Sequence, residues 1–354
     1  MRIAMIAPLE IRVPPVAYGG TELVVSLLTE ELVRRGHDVT LFASGDSVTA
    51  ARLVSGCPRS LWGTDRASDI LNLLNVVTCL RQQDQFDIIH NHNEQAGLAL
   101  AGLVKTPVLT TIHNNYIGDQ LLLFADYQGW YNTISLSAKS LLPAKERSAG
   151  VIYNPIDVDS YPFNGGEREP HLLFLSRMCQ EKGPHLAIEV AKRLGRRLIL
   201  AGNCWDSAHE EYFRTQVLPE VDGEQIQYVG EADYFQKREL MSNAYCLLAP
   251  ITWSEPFGLF MAEAMACGTP VVAFNRGAAP EVVSNGETGF VVENLDEMTE
   301  AVQKIHEVDP IRCREHVRRN FDVAPVVDDY LAAYELVISS SQGQPLAFSL
   351  AKGS

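Results

Sequence analysis

The sequence predicts an α/β protein built from two consecutive doubly wound domains, each a parallel sheet with helices on both faces. Three observations carry this. The chain has 354 residues, about two to three times a typical single domain. Short apolar runs rich in Val, Ile and Leu alternate with stretches of helical periodicity, the pattern of strands buried on both faces. The alternation breaks once, in a Pro- and Gly-rich segment, and then restarts.

In the first half, Arg2–Ala7 reads as a buried strand. Thr21–Arg35 follows as a helix, with Leu23, Val24, Leu27, Leu28, Leu32 and Val33 at helical spacing and Gly36 as its stop. Asp38–Ala43, Asp87–His90, Val108–Ile112 and Gly150–Tyr153 are the next strands. The segment Asn154–Pro170 (NPIDVDSYPFNGGEREP) holds three prolines and two glycines and reads as an inter-domain linker. The second series has strands at His171–Ser176, Arg197–Ala201, Gln225–Val229, Tyr245–Ala249, Pro270–Ala273 and Gly289–Val292. Helices are expected at Pro184–Leu194, Lys237–Ala244, Phe260–Cys267 and Asp296–Val308, and a last amphipathic one at Val326–Ile338. Domains are therefore placed at 1–154 and 171–325, joined by 155–170. The helix 326–338 is a candidate to pack back on the first domain. The tail 339–354 reads as loosely held, with Leu346, Phe348 and Leu350 able to dock.

Composition narrows the function. Hydrophobic residues are 46% and charged residues 21% of the chain, as in a folded globular protein. The net charge is −15, and it is uneven: residues 1–150 hold 12 basic and 14 acidic residues, the remainder 17 and 30. Such a balance argues against nucleic acid as partner, since phosphate contacts need basic patches. Seven cysteines at wide spacing, with no CxxC, argue against a zinc ribbon or disulfide scaffold. The N-terminus lacks the long apolar core of a signal peptide, and no run reaches the ~18–20 apolar residues of a membrane span. A cytoplasmic enzyme is expected, and no Lys/Arg cluster indicates peripheral membrane contact.

Three segments carry chemistry. Tyr18-Gly19-Gly20-Thr21 lies between the first strand and the first helix, where glycines let a backbone approach a phosphate and the helix N-terminus offers free N–H groups. The plain alternative is a tight turn. Ser176–Gly183 (SRMCQEKG) follows the first strand of the second series, and its Arg177 and Lys182 could hold a diphosphate. The plain alternative is a solvated basic loop. Ser254–Val272 (SEPFGLFMAEAMACGTPVV) is the most informative. Glu263 lies within an otherwise apolar helix, and a carboxylate there needs a partner. Glu255 precedes that helix, so from a loop it can face the same crevice. Trp253 either stacks on a sugar or packs on the wall.

With these residues the chain resembles the retaining nucleotide-sugar glycosyltransferases of GT-B fold, family 4. The Glu-x7-Glu pattern of Glu255 and Glu263 matches, as do the Gly-Gly loop, the SR-x4-KG segment, Thr111-Ile112-His113, Asn154–Asp157 and Ala279–Val283 with Gly286 and Gly289-Phe290. The matches run in family order from about residue 2 to 292. Two positions depart: Ser176 stands where the family often has Gly, and Pro155 replaces the linker's usual Gly.

The resemblance implies two Rossmann-like domains facing each other across an inter-domain cleft, an acceptor-side domain at 1–154 and a nucleotide-sugar-binding domain at 171–325. It implies a hexosyltransferase that uses a nucleotide-diphosphate sugar, with UDP expected because it is common in the family, and that needs no metal or other cofactor. Arg177 and Lys182 would grip the diphosphate, and Glu263 the ribose hydroxyls. Glu255 would bind the transferred sugar, with backbone N–H groups of Phe257, Gly258 and Leu259 on sugar or phosphate oxygens. His113 would face the sugar, and Gly19 and Gly20 the phosphates. The acceptor stays open between a saccharide, a lipid and a small molecule. A sugar-nucleotide epimerase or hydrolase on the same scaffold, and a non-catalytic nucleotide-sugar-binding protein, stay open as alternatives. His90 and His92 resemble a metal pair, and Asp157-Val158-Asp159 a metal–diphosphate motif; both read better as structural residues.

Overall fold

Among the residues described in this computed structural model (1–124, 127, 129–143, 147–166 and 168–341), thirteen strands form two sheets, and every strand pair is parallel. The chain divides into two units. One is Met1–Pro155 with the C-terminal helix, the other Ile156–Asp322.

The first unit contains β1 (Arg2–Ile6), α1 (Gly20–Arg34), β2 (Asp38–Ser44), β3 (Arg52–Cys57), α2 (Ser68–Leu80), β4 (Ile88–Asn91), α3 (Glu94–Leu100), β5 (Val108–Ile112), β6 (Trp130–Thr133), α4 (Leu136–Ser140) and β7 (Ser148–Val151). Its sheet has the order β3-β2-β1-β4-β5-β6-β7. The central strands are apolar throughout because helices cover both faces: Ile3 to Ile6, Ile88 and Ile89 have no exposure.

The second unit contains β8 (Leu172–Leu175), α5 (Pro184–Leu194), β9 (Leu198–Ala201), α6 (Ser207–Tyr212), β10 (Ile226–Tyr228), α7 (Tyr234–Asn243), β11 (Cys246–Ala249), α8 (Leu259–Ala266), β12 (Val271–Phe274), α9 (Ala279–Val282), β13 (Gly289–Val292), α10 (Leu295–Lys304) and α11 (Pro310–Asn320). Its sheet has the order β10-β9-β8-β11-β12-β13. Local chemistry sets the helix starts. Asp233 and Gln236 form a reciprocal capping box on α7, and Asn294 caps α10 through Glu297 N–H.

The last helix, α12 (Val323–Ser341), belongs to the first unit and buries Tyr330 and Tyr334 completely. Their hydroxyls enter a polar network inside that unit. Tyr334 bonds His90 Nδ1 at 2.6 Å, and Tyr330 reaches Thr111 at 3.2 Å and Asn132 at 3.3 Å.

Several elements differ from the expectation. From Ile156 on, the segment read as an inter-domain linker is part of the second unit: Ile156 N–H donates to Phe321 O at 2.6 Å, and Val158 and Tyr161 are buried. Burying those two side chains outweighs the flexibility that Pro and Gly would give a spacer. Helix α10 stops at Lys304 and a 3-10 turn covers Ile305–Glu307, where one helix to Val308 was expected. Strands β3 and β6 and helices α2, α3 and α11 carry no clear sequence signal. β3 is an edge strand with polar positions, and β6 (WYNT) buries Asn132 and Thr133 because the network above satisfies Asn132. Helix α12 runs to Ser341, past the expected end. Leu346, Phe348 and Leu350 lie outside the described residues.

Candidate active site

In each sheet the chain order reverses once, between β1 and β4 in the first and between β8 and β11 in the second. At such a switch point the loops leave the strand ends in opposite directions and open a crevice. Gly19-Gly20 follow β1, Arg177 and Lys182 follow β8, and Glu255 follows β11.

In the second unit, the loop after β8 carries Arg177 and Lys182, and the loop after β11 carries Trp253 and Glu255. Lys182 sits on a single 3-10 turn (Gln180–Lys182) and forms an ion pair with Glu255. Lys182 is 6% exposed and Glu255 7%. The Trp253 indole N–H donates to the same Glu255 oxygen, Oε2, at 3.0 Å. Its ring centroid lies 5.2 Å from Lys182 Nζ, and that of Phe260 5.8 Å, so aromatic faces flank the ammonium. Trp253 therefore orients the ion pair.

The Glu255 backbone is fixed from behind. A Cβ on Gly277 would come within 2.1 Å of Glu255 N, and Ala278 N–H donates to Glu255 O at 2.8 Å. Gly258 adopts a left-handed φ of 83° as the N-cap of α8. It supplies no side-chain cap, which leaves first-turn N–H groups of the helix available to a ligand. The Phe257 ring is buried against Phe321, so its main chain is what it can offer a ligand. Leu259 is the first residue of α8.

Glu263, 3% exposed, has the partners its position demands. Its Oε1 accepts from the Tyr161 hydroxyl at 2.7 Å and from Lys237 Nζ at 2.6 Å. Burial first, and then the Glu263 charge, hold the Tyr161 hydroxyl far above the usual phenol range, so it stays a donor. Arg177 is half-buried with its guanidinium 4.8 Å above the Trp205 ring. Cys179 and Glu181 of the same loop and His209 of α6 have ligand atoms within 4.8 Å of one another, a donor set that could hold a divalent ion. Burial pushes the Cys179 thiol up to about 11, so a metal there would have to displace its proton.

In the first unit, Gly19 is the N-cap of α1 and Gly20 its first residue, again without a side-chain cap. Glu22, buried in the first turn, is pushed up to about 7 by desolvation. The end of β4 continues into His92, Asn93 and Glu94. His113 Nε2 meets His92 Nδ1 at 2.8 Å, and its backbone N–H donates to Glu94 at 2.9 Å. Burial holds His90 and His113 down near pKa 3 and His92 well below its usual value, so all three rings are neutral. Both His90 nitrogens are engaged, by Tyr334 and by Thr111 at 2.7 Å. Beside these residues lies a cleft of about 660 Å³ whose lining includes Glu10, Asn72, His92, Asn93, Glu94 and Tyr116.

Two family models match the chain, "Glycosyltransferase Family 4" over residues 18–160 and "Glycosyl transferases group 1" over residues 159–319. The chain belongs to the group 1 glycosyltransferases of family 4 type. It is similar to a putative glycosyltransferase of Bacillus subtilis, YtcC, at 25% identity over 84% of this chain and 80% of the relative. It is 27% identical to the phosphatidyl-myo-inositol mannosyltransferase of Mycobacterium leprae, covering 96% and 98% of the two chains. Among solved structures, Anabaena HepE in complex with UDP-glucose superposes with a TM-score of 0.72 at 18% identity, covering 94% of this chain and 100% of that one. The protein is a glycosyltransferase with the two-domain, Rossmann-like GT-B fold.

The structure brings Lys182 to Glu255 and gives Glu263 separate partners, Tyr161 and Lys237. Asp159 of the DxD match pairs with Arg318 at 2.6 Å. Sequence reasoning missed Tyr161, Lys237, Trp205, Gly277 and Glu22. Tyr161 hid in the apparent linker, and Lys237 and Trp205 carry no motif. Gly277, in the Arg276-Gly277-Ala278 turn, was the one legible signal, a glycine between a strand and a short helix.

Proposed function

We propose that this glycosyltransferase moves a hexose from UDP-hexose to an acceptor hydroxyl with retention of anomeric configuration and without a metal ion. The observation that carries the reading is the buried Lys182–Glu255 pair at the switch point of the second sheet, beside the N-terminus of α8. Cleaving a glycosyl–phosphate bond puts charge on the diphosphate and oxocarbenium character on the sugar. Arg177 and Lys182 supply preorganised positive charge for the first, together with the N–H groups after Gly258. Glu255 holds Lys182 in place and offers its carboxylate to sugar hydroxyls.

The C1–oxygen bond to the diphosphate breaks as the acceptor oxygen bonds C1 on the same face. The acceptor proton passes to a departing phosphate oxygen. A diphosphate leaves without prior protonation, so this scheme needs no paired acid and base of the kind that hydrolases place across a glycosidic bond. UDP is favoured by the UDP-glucose complex of HepE. A cytosolic location fits seven cysteines that are all free. No helix among the described residues is long and apolar enough to cross a membrane.

The test is a thermal-shift screen of the whole chain against UDP, GDP, ADP, TDP and their sugar conjugates. Stabilisation by UDP and UDP-hexoses, lost in Arg177→Ala/Lys182→Ala, is expected. No shift at concentrations far above a plausible Kd, or preference for another base, would overturn the donor assignment. Sugar release without any acceptor, at the full rate, would instead mark a hydrolase.

A further inference from the structure

We infer that the cleft of the first unit selects an uncharged or amino-bearing saccharide as acceptor and rejects phosphorylated acceptors. This rests on the UDP-hexose transferase reading above and names its second substrate.

The cleft sits where ligands bind in doubly wound sheets, at the β1/β4 switch point. Its lining is polar and preorganised. Asn72 Oδ1 accepts from Leu9 N–H at 3.0 Å and from Asn93 Nδ2 at 2.8 Å, while Asn72 Nδ2 donates to Glu10 at 2.6 Å. Amides and carboxylates held this way match the alternating donors and acceptors of a polyol. One buried polar atom in the described lining is left over. His92, 1% exposed, spends Nδ1 on His113, and its Nε2 has no hydrogen-bond partner among the described residues. Glu94 spends Oε1 on His113 N–H and Asn114 Nδ2. The Tyr116 hydroxyl also hydrogen-bonds that carboxylate. An atom such as His92 Nε2 is costly unless a ligand or water completes it.

Charge decides the class. The described lining holds three acidic side chains, Glu10, Asp69 and Glu94, the last pushed up to about 7 by burial, and no Lys or Arg. The neutral His92 ring adds no positive charge. A phosphate entering here meets these acidic groups with no side-chain cation to offset them, whereas a hydroxyl or ammonium group finds acceptors. Apolar lining is confined to Pro8, Leu73 and Ala96, too little to seat an acyl chain.

The test has two arms on the full-length protein with UDP present. Binding by saturation-transfer NMR compares methyl glucoside and glucosamine with glucose 1-phosphate, and flotation probes vesicles containing phosphatidylinositol. The neutral and amino sugars should bind at least about tenfold more tightly than the phosphate, and the vesicles should not bind. His92→Ala should abolish saccharide binding. Glu10→Gln/Asp69→Asn, in which the glutamine oxygen can still accept from Asn72 Nδ2, should narrow the discrimination at least about threefold.

Equal or better binding of the sugar phosphate, retention on vesicles, or no saccharide binding of either kind would overturn the inference. UDP-induced thermal stabilisation in the same samples reports the donor site separately. Failure of that shift would count against the donor reading, and a normal shift with the wrong acceptor preference against this one.

Discussion

Replacing Lys182 by Met should destabilise the second unit far more than removing a surface charge would. Both side chains of the pair are at least nine-tenths buried, and the Glu255 carboxylate has one other donor shown, the Trp253 indole at 3.0 Å. Met fills much the same volume, so little cavity forms. What remains is a buried carboxylate stripped of its counter-charge, which costs about 3–5 kcal/mol. For a unit of this size, ~1 kcal/mol shifts Tm by about 2–4 °C, so a fall of roughly 10 °C is expected.

The double variant Lys182→Met/Glu255→Gln removes the orphaned charge and keeps an acceptor for Trp253. It should recover most of the loss while remaining unable to transfer sugar. The assay is scanning calorimetry of wild type, both single variants and the double variant at pH 7.5, read on the transition of the second unit. A Lys182→Met loss below about 1 kcal/mol, or a double variant no more stable than Lys182→Met, would refute the argument. Either result would mean that water reaches the pair or that the lysine contributes nothing to holding Glu255.

Glu255→Gln should reduce turnover by orders of magnitude and leave UDP affinity nearly intact; steady-state kinetics beside calorimetric titration with UDP checks this, and unchanged turnover would remove Glu255 from the mechanism. Activity should survive EDTA; complete loss restored by a divalent ion would direct attention to Cys179, Glu181 and His209. Glu22 is raised from 4.5 to about 7, so the folded state keeps a proton that the unfolded chain releases in that window, and stability falls as pH rises through it. Glu22→Gln removes that loss, gaining up to about 3 kcal/mol on wild type between pH 5 and pH 8, as urea titrations at the two pH values would show; parallel stability–pH curves would count against it.

The sequence by itself determined what depends on local pattern. A run such as Val108–Ile112 reads as a doubly buried strand, and Pro184 with Gly195 bounded α5. The Glu-x7-Glu block announced a functional helix because Glu263 stood in an otherwise apolar stretch. Tertiary structure decided which residue answers which. Lys182 and Glu255 are 73 positions apart and meet because β8 and β11 are sheet neighbours. Glu263 could have paired with any nearby cation or hydroxyl, and packing chose Lys237 and a tyrosine from the apparent linker. In the same way β6, with Asn132 inside, became a strand because α12 returns Tyr330 to it from 198 residues away. Periodicity is written in the order of residues, but pairing across a parallel sheet depends on strand order, which local sequence does not encode.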